Sequence, residues 1–322
     1  MAFTLSDAKK LSQDKLTNYV IDEFRQSPLL DLLVFDDVVK PQGGTSLSYV
    51  YNRVTTLPTA AGRDINAEYT AQEAKTTQYT VALKPFGGSF SIDRVLQADE
   101  TQVVNLLEFQ MQQKIKATRA LFADWFINGD SAGSDTKSFD GLEKAVKSSS
   151  TDKTVSGTTL DLSTATAVET NWKAFLYELR QVRKLMDGEA TIMCVNADMF
   201  AVFQTIADLS TQFTQTRNEL GAEIVKWGNT TIVDMGDKPG TSNPVIETGS
   251  SDGLTDIYFA RVGLDGVHGV TPTGQTAPSI YLPDMTMPGA VKTGEVEMVA
   301  AVAVKATRSA AVLRGIKVGA GA

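Results

Sequence analysis

The sequence is short of the residues on which most catalytic and metal sites depend. Its 322 residues include one cysteine, Cys194, and one histidine, His268. A single cysteine excludes an intrachain disulfide and a thiolate metal cluster. A Ser-His-Asp triad would need His268, and no G-x-S-x-G motif presents a serine. A carboxylate pair for glycoside hydrolysis stays open, because the chain has 38 Asp and Glu residues and nothing singles out two of them.

Both scarce residues have a simple structural interpretation. Cys194 lies in the apolar run 192–195, which predicts a buried, inert thiol. His268 lies in residues 266–269 between glycines, a context typical of a turn. We therefore expect a protein that is not an enzyme and that holds neither a metal nor a cofactor.

Long hydrophobic runs and concentrated positive charge are also missing. No run approaches 18 apolar residues, and residues 1–15 lack the apolar segment of a signal peptide, so we predict neither a membrane span nor secretion. The formal net charge is -8 without any Lys/Arg cluster, which is unfavourable for gripping DNA or an anionic membrane. A hydrophobic content of 42% is enough for a real core.

The stretch Thr101 to Asn128 organises the rest of the chain. It contains neither Gly nor Pro, and its apolar residues recur in steps of three and four, which predicts one long helix that ends at Gly129. At roughly 1.5 Å per residue this helix would be about 40 Å long. We expect it to be a central support on which other segments pack.

Residues 1–44 have the character of an N-terminal arm. An amphipathic helix is predicted from Ser6 to Arg25, and Pro28 ends it. The segment after it is too apolar to remain in water, so it must dock on its own core or on a neighbouring subunit. Its candidate contact residues are Leu29, Leu30, Leu32, Leu33 and Phe35.

A long two-stranded ribbon is predicted next, in residues 45–88. Residues 46–54 and 76–83 have the composition of strands, with some 20 polar residues between them that show no core-building periodicity. An isolated ribbon is marginally stable in water, so its tip should become ordered on a partner. We interpret Gly87 and Gly88 as the end of this segment. The predicted inter-subunit contacts are Arg63, Asp64, Glu68, Tyr69, Glu73 and Lys75.

The second half mixes helices and strands without a βαβ repeat, which favours an α+β fold. Residues 147–164 look like an exposed connector. Helices are expected from about Thr164 to Gly188 and, capped by Asn196, over residues 198–207. Strands are predicted over residues 191–195 and 256–260 and in a hairpin around Gly228-Asn229. The two last strands, in residues 295–305 and 310–318, are expected to pair and to close beside the long helix.

Taken in order, these parts resemble the Hong Kong 97-type major capsid protein of tailed bacteriophages. The local resemblance lies in residues 27–30 of the arm, in residues 125–130 with 139–142, and in residues 258–269. The resemblance implies an extended loop at 45–88, a peripheral domain at 89–150, an axial domain at 151–289 and terminal strands at 290–322 that return to the peripheral domain.

The same resemblance implies a structural function. Copies would assemble as pentamers and hexamers into an icosahedral virion shell, in the cytoplasm of a bacterial host, and enclose double-stranded DNA without specific binding. A portal is an implied partner, and no membrane is. The arm begins almost at once, so a scaffold would be a separate protein, already removed or absent; a decoration protein stays open. A crosslinking role for Lys75 lacks an identifiable partner asparagine.

Three alternatives remain at this point. An encapsulin-like cellular compartment would share the fold and enclose an enzyme instead of DNA. A soluble enzyme that uses carboxylates would be a monomer or small oligomer with a concave pocket, and would leave the ribbon unexplained. Another virion part, such as a tail or decoration protein, would be β-rich without so long a helix.

Overall fold

The computed structural model describes residues 27–39, 47–97, 106–133, 135–155, 160–217, 223–275, 277–284 and 286–319. The predicted N-terminal helix of residues 6–25 and the predicted start of the long helix at residues 101–105 lie outside these ranges.

Helices of very different length occur along the described chain. They are α1 Leu29–Leu32, α2 Arg94–Gln97, α3 Leu106–Asn128, α4 Leu142–Val146, α5 Ala165–Leu185 and α6 Ala197–Leu209, with a 3-10 turn at Thr307–Ser309.

Strands fall into three sheets. They are β1 Phe35–Val39, β2 Ser48–Thr56, β3 Lys75–Ala82, β4 Lys84–Asp93, β5 Asp152–Thr154, β6 Leu160–Asp161, β7 Ile192–Val195, β8 Phe213–Arg217, β9 Glu223–Trp227, β10 Thr230–Asp234, β11 Leu254–Ala260, β12 Val267–Pro272, β13 Ser279–Tyr281, β14 Val291–Val304 and β15 Ala310–Lys317.

The long helix α3 is confirmed over its described part, and its two halves differ in burial. Near its C-terminal end side chains are buried on all sides, among them Phe122 and Phe126, each 0% exposed. Its last turns pack into an aromatic cluster in which the Phe86 and Trp125 rings meet edge to face at 5.3 Å. The predicted stop at Gly129 is also confirmed, since the helix ends at Asn128. A Cβ at position 129 would lie 2.1 Å from the Phe139 carbonyl oxygen, so this position favours glycine.

Helix α3 packs on a five-stranded sheet that we call sheet A. Strand β14 is its long member: it pairs with β4 over residues 291–300, with β13 over residues 295–297 and with β12 over residues 301–304, and β12 continues to β1. Gly87 and Gly88, which we interpreted as the end of the ribbon segment, lie inside β4. Gly87 is needed there for close pairing, since a Cβ would lie 2.0 Å from the Val296 carbonyl oxygen.

An eight-stranded sheet, sheet B, carries helices α5 and α6. Its strand order is β5-β15-β11-β7-β10-β9-β8, with β6 paired to β15. Both helices begin as predicted: the Thr164 side chain accepts a hydrogen bond from the Ala167 N–H at 3.2 Å, and Asn196 accepts one from the Met199 N–H at 2.9 Å. The predicted hairpin between β9 and β10 is confirmed, and Gly228 takes a positive φ of 61° in its turn.

The central strands of sheet B are buried on both faces, which joins the two halves of the molecule. Met193 and Val195 point into the core shared with α5 and α6. Ile192 and Cys194, which alternate with them, point into the core that contains the C-terminal end of α3. Strands buried on both faces explain the near-continuous apolar runs of this region.

Three expectations about strands are corrected by this topology. The last two strands do not pair with each other: β14 lies in sheet A, whereas β15 lies within sheet B between β11 and β5. The connector 147–164 contributes β5 and β6 to the edge of sheet B. His268 lies in the buried strand β12, not in a turn. Alternation identifies a strand, but partner choice depends on residues far away in sequence.

Candidate interaction surfaces

The root of the ribbon, formed by β2 and β3, is fixed to the body by polar contacts to the backbone at the end of β14. The Tyr51 hydroxyl donates to the Val304 carbonyl at 2.9 Å. The Arg53 guanidinium donates to the same carbonyl at 2.7 Å and to the Lys305 carbonyl at 2.9 Å. Arg53 also lies 4.4 Å from the Tyr79 ring, which stacks on Tyr51. The direction in which the ribbon leaves the body is therefore well defined.

The tip of the ribbon, residues 57–74, contains no strand, and every one of its residues is exposed. Three large apolar side chains are among them: Leu57 is 78% exposed, Ile65 91% and Tyr69 66%. The hydrogen bonds described for the tip are local, such as the one from the Thr59 N–H to the Gln72 side chain at 2.9 Å. A segment that extends from the body with exposed apolar side chains is suited to contact another chain.

The structure brings the predicted ribbon contacts together on this tip and the adjoining start of β3. All six residues are exposed: Arg63, Asp64, Glu68, Tyr69, Glu73 and Lys75. Arg63 and Tyr69 contact each other, with the guanidinium 5.3 Å from the ring centroid. Arg63 also donates to the Ala67 carbonyl at 3.2 Å, which shapes the turn at the end of the tip.

The predicted arm contacts separate into two groups. Leu29 is 1% exposed and Leu33 8%, and both belong to the core that contains α3. Phe35 packs partly buried against the same core, with its ring 6.0 Å from that of Phe122. For Leu29 and Leu33 docking on a neighbour is therefore corrected to docking on their own subunit, because a buried side chain offers no surface to another copy. Leu32, at 38%, is exposed, and Leu30 is half-buried.

A second exposed apolar surface was not predicted from the sequence. It surrounds β13 and the start of β14 at one end of sheet A, and consists of Val95, Ile280, Tyr281, Leu282, Met287 and Val291, each 42% exposed or more. The signal was present: residues 277–291 contain three prolines, five large apolar residues in the described part, and Asp284 as the only charge. We call this set the β13 patch.

A charged cluster joins α4 to sheet B. Arg314 on β15 contacts three carboxylates, with its Nη2 2.8 Å from Glu143, its Nε 2.7 Å from Asp152 and its Nη1 2.9 Å from Asp256. The Tyr258 hydroxyl donates to Glu143 at 2.9 Å. These side chains are about 20–30% exposed, so the cluster is largely but not fully removed from water.

The acidity of the cluster follows from burial and from Arg314. Burial is the largest influence on Asp152 and raises its pKa, but the hydrogen bonds from Arg314 and the Ser148 N–H, together with the charges of Arg314 and Lys147, outweigh it and hold this pKa below its usual value. Burial dominates at Asp256, whose pKa is raised despite Arg314. Burial and the neighbouring Glu143 raise the pKa of the Tyr258 hydroxyl. The arrangement is an ion-pair network that fixes α4 on the sheet, beside a cavity of about 360 Å³.

Neither scarce nucleophile is placed for catalysis. Cys194 is 0% exposed, and burial raises the pKa of its thiol to about 12, so it stays protonated at neutral pH. His268 is also fully buried, and no carboxylate accepts a hydrogen bond from its ring. Within the ranges that the structure describes, no group of three or more His, Cys, Asp or Glu side chains could hold a metal ion. Among those same residues, no helix is both long and apolar enough to cross a membrane.

Comparison with known families decides the identity of the chain. Residues 25–232 match the sequence model of the SU10 major capsid protein family. The chain is a member of this family. It is therefore a bacteriophage major capsid protein, a structural component of the virion. No protein with a curated description matches the sequence.

Solved structures agree with this assignment at the level of the fold. This chain is similar to the capsid of Myoviridae phage XM1, with a TM-score of 0.60 and 13% sequence identity; the match covers 96% of this chain and 98% of the XM1 chain. The SrpI encapsulin of Synechococcus elongatus PCC 7942 matches with a TM-score of 0.63 and 14% sequence identity, and the match covers 98% of this chain and 97% of the encapsulin chain. The capsid of a native GTA particle matches with a TM-score of 0.58 and 12% sequence identity, and the match covers 97% of this chain and 100% of the GTA chain. The fold is the Hong Kong 97-like capsid fold.

Proposed function

We propose that copies of this major capsid protein assemble as pentamers and hexamers into an icosahedral shell that encloses double-stranded phage DNA. The observation that carries the proposal is the ribbon tip: Leu57, Ile65 and Tyr69 are exposed on a segment whose described hydrogen bonds are all local. Apolar side chains exposed this far from a core stabilise a subunit only when another copy covers them. A subunit that contacts several neighbours in this way forms a closed lattice from many weak contacts.

The proposed inter-subunit set contains the exposed members of the two predicted groups. These are Arg63, Asp64, Glu68, Tyr69, Glu73 and Lys75 on the ribbon, with Leu30, Leu32 and the exposed part of Phe35 on the arm. The ribbon charges have both signs, so they favour a neighbour of complementary pattern and fix the register of contact more than they add affinity. The contacts of Tyr51 and Arg53 at the root restrict the orientation of the tip before it meets a neighbour, which lowers the entropy lost on docking.

The domain names follow as part of the same proposal. Sheet A with α3 would be the peripheral domain, sheet B with α5 and α6 the axial domain around the five- and six-fold axes, and residues 45–88 the extended loop. Packaged DNA would be held by enclosure, since the net charge of -8 is unfavourable for tight binding to phosphates. A portal is a further partner, and assembly would take place in the cytoplasm of a bacterial host, with or without a separate scaffold or decoration protein.

A cargo-filled compartment is the second candidate, because the SrpI encapsulin has the same fold. The two functions differ in what the shell contains and in the chemistry of its interior. Family membership favours the phage capsid.

Assembly is tested by electron microscopy and sedimentation of the purified chain, alone and co-expressed with its neighbouring genes. Closed shells, pentamers or hexamers are expected. Nuclease-resistant double-stranded DNA inside particles from the co-expressed set supports the capsid, whereas an enclosed enzyme supports the compartment. A stable monomer under all conditions would refute both.

The role of the tip is tested by Ile65→Asp, which places a charge where the proposal puts an apolar contact. Ile65 is 91% exposed in the subunit, so folding and thermal stability should not change while assembly is lost or strongly reduced. Ile65→Leu should assemble normally. Ala61→Asp, also on the exposed tip, adds the same charge without removing a large apolar side chain and should have a smaller effect. Equal assembly of Ile65→Asp and the natural chain would remove the tip from the interface.

A further inference from the structure

His268 is a buried histidine whose ring nitrogens lack well-formed hydrogen bonds. Its side chain is 0% exposed, and neither ring nitrogen has a hydrogen-bond partner of ordinary geometry among the described residues. A buried polar group without a partner costs about 1–3 kcal/mol, so such groups are rare and call for an explanation. Neither the fold nor the proposed shell contacts require an imidazole at this position.

The ring of His268 supports the root of the ribbon. It meets the ring of Tyr49, on β2, edge to face at 5.6 Å between centroids. Tyr49 is only 8% exposed, and its hydroxyl donates to Asp36 on β1 at 3.0 Å. Tyr49 is thus the point at which the first ribbon strand enters the body, and His268 forms one wall of its seat.

The charges around this seat disfavour a proton on His268. Burial is the main cause that lowers the pKa of the imidazole, and the ammonium group of Lys305 acts in the same direction. Lys305 lies over the Tyr49 ring, with its Nζ 5.3 Å from the ring centroid. Smaller effects raise the imidazole pKa, from the carboxylate of Asp36 and from the backbone of Gly263 and Gly266. The pKa of His268 is nevertheless lowered overall. Among the residues that the structure describes, Lys305, Asp36 and Tyr49 are the titratable groups that act on the ring or contact it.

We propose that His268 is an acid-sensitive latch: the neutral imidazole seats Tyr49 and holds the ribbon root on the body, and protonation releases the root. The step transfers one proton from solvent to a ring nitrogen and breaks no covalent bond. When the root leaves, the imidazolium gains contact with water. The inference concerns the single subunit and does not depend on shell formation.

The sign of the effect follows from linkage. A histidine whose pKa is lower in the docked state than in the released state binds more protons when released. The docked root is therefore favoured above the ordinary histidine pKa and weakens as the pH falls through that value. Each unit by which the docked pKa is lowered weakens docking about tenfold once the pH is below both values.

The test measures hydrogen–deuterium exchange of unassembled full-length subunits from about pH 8 to about pH 5.5, a range that spans the ordinary histidine pKa. After correction for intrinsic exchange, peptides from β2 and β3 should lose protection at the acid end, while peptides from the core strands β7 and β11 should not. Because the chain has one histidine, its imidazole proton resonance reports the same transition directly.

His268→Phe keeps a ring against Tyr49 and cannot titrate, so its ribbon should stay protected across this range. Lys305→Met removes the repelling cation and should make the release weaker than in the natural chain. Acid release that persists unchanged in His268→Phe would overturn the proposal by assigning it to carboxylates. An imidazole resonance that titrates without any change in ribbon exchange would overturn it in the natural chain, independently of how the variants fold.

Discussion

Replacing Arg314 by Met removes the one cation of a cluster that contains three carboxylates. Met keeps much of the side-chain length and packing, so the change isolates the charge. The three contacts are 2.7–2.9 Å long, and the side chain of Arg314 is 21% exposed against 30%, 19% and 28% for Glu143, Asp152 and Asp256. Removing one partner of a fully buried pair costs about 3–5 kcal/mol. With this partial exposure we expect a loss of about 2–4 kcal/mol in the free energy of unfolding.

The pH dependence makes the prediction specific. At neutral pH the variant leaves three carboxylates without the neighbouring cation, and their mutual repulsion destabilises the folded variant. Asp152, whose pKa Arg314 holds low, contributes stability in the natural protein above the unfolded carboxyl pKa, and that contribution is lost as the pH falls. The deficit of Arg314→Met should therefore be largest near about pH 7 and shrink as the pH falls below about 4, the unfolded carboxyl pKa.

The assay is urea unfolding of unassembled subunits, followed by fluorescence of the three tryptophans. Lys238→Met is the matched control, because its partner Glu247 is 68% exposed and the pair should contribute no more than about 1 kcal/mol. Arg314→Lys keeps the charge but cannot reach three carboxylates at once, so its loss of unfolding free energy should lie between those of Arg314→Met and Lys238→Met. A loss within about 0.5 kcal/mol of the control, or a deficit that does not shrink with acid, would refute the account.

Two further predictions concern the core. Gly269→Ala places a Cβ 2.3 Å from the Phe35 ring and should displace that ring, at a cost of about 1–3 kcal/mol in the free energy of unfolding in urea. Gly62→Ala is the control, because no atom lies within 4 Å of its Cβ, and its stability should not change. Equal urea midpoints for the two variants would contradict the packing of the arm. The Cys194 thiol should react with a disulfide reagent only in denaturant, because burial raises its pKa to about 12, and fast labelling of the native protein would show that sheet B opens.

Helices were predictable from the sequence because their determinants are local. In the apolar stripe from Val168 to Met186, each residue is followed by the next within one turn. The caps at Thr164 and Asn196 bond to backbone groups three residues further along the chain. The ribbon was recognised by the reverse argument, since two strands enclosed a segment without any periodicity that could build a core. Both inferences use only neighbours in sequence.

Sheet membership could not be predicted in the same way. The strands β14 and β15 were recognised, but their partners lie far away: Val291 pairs with Asp93, and Val312 with Asp152. The Arg314 cluster was missed for the same reason, since its contacts to Asp152 and Glu143 span 162 and 171 residues. Side chains that meet across such distances leave no pattern in either local sequence. Two of the arm leucines, likewise, gave no sign of whether their own core or a neighbour would cover them.

The division between a fixed root and an exposed tip determines how mutations in the ribbon should act. At the root, Tyr51 and Arg53 bond to the backbone of residues 304–305, so changes there alter the subunit before any neighbour is present. At the tip, Ile65 has almost no contact to lose within the subunit. Tip variants should therefore lower assembly at unchanged subunit stability, and root variants should lower both. A shell protein needs this separation, because a contact that also held the subunit together could not be exchanged for a neighbour without unfolding part of it.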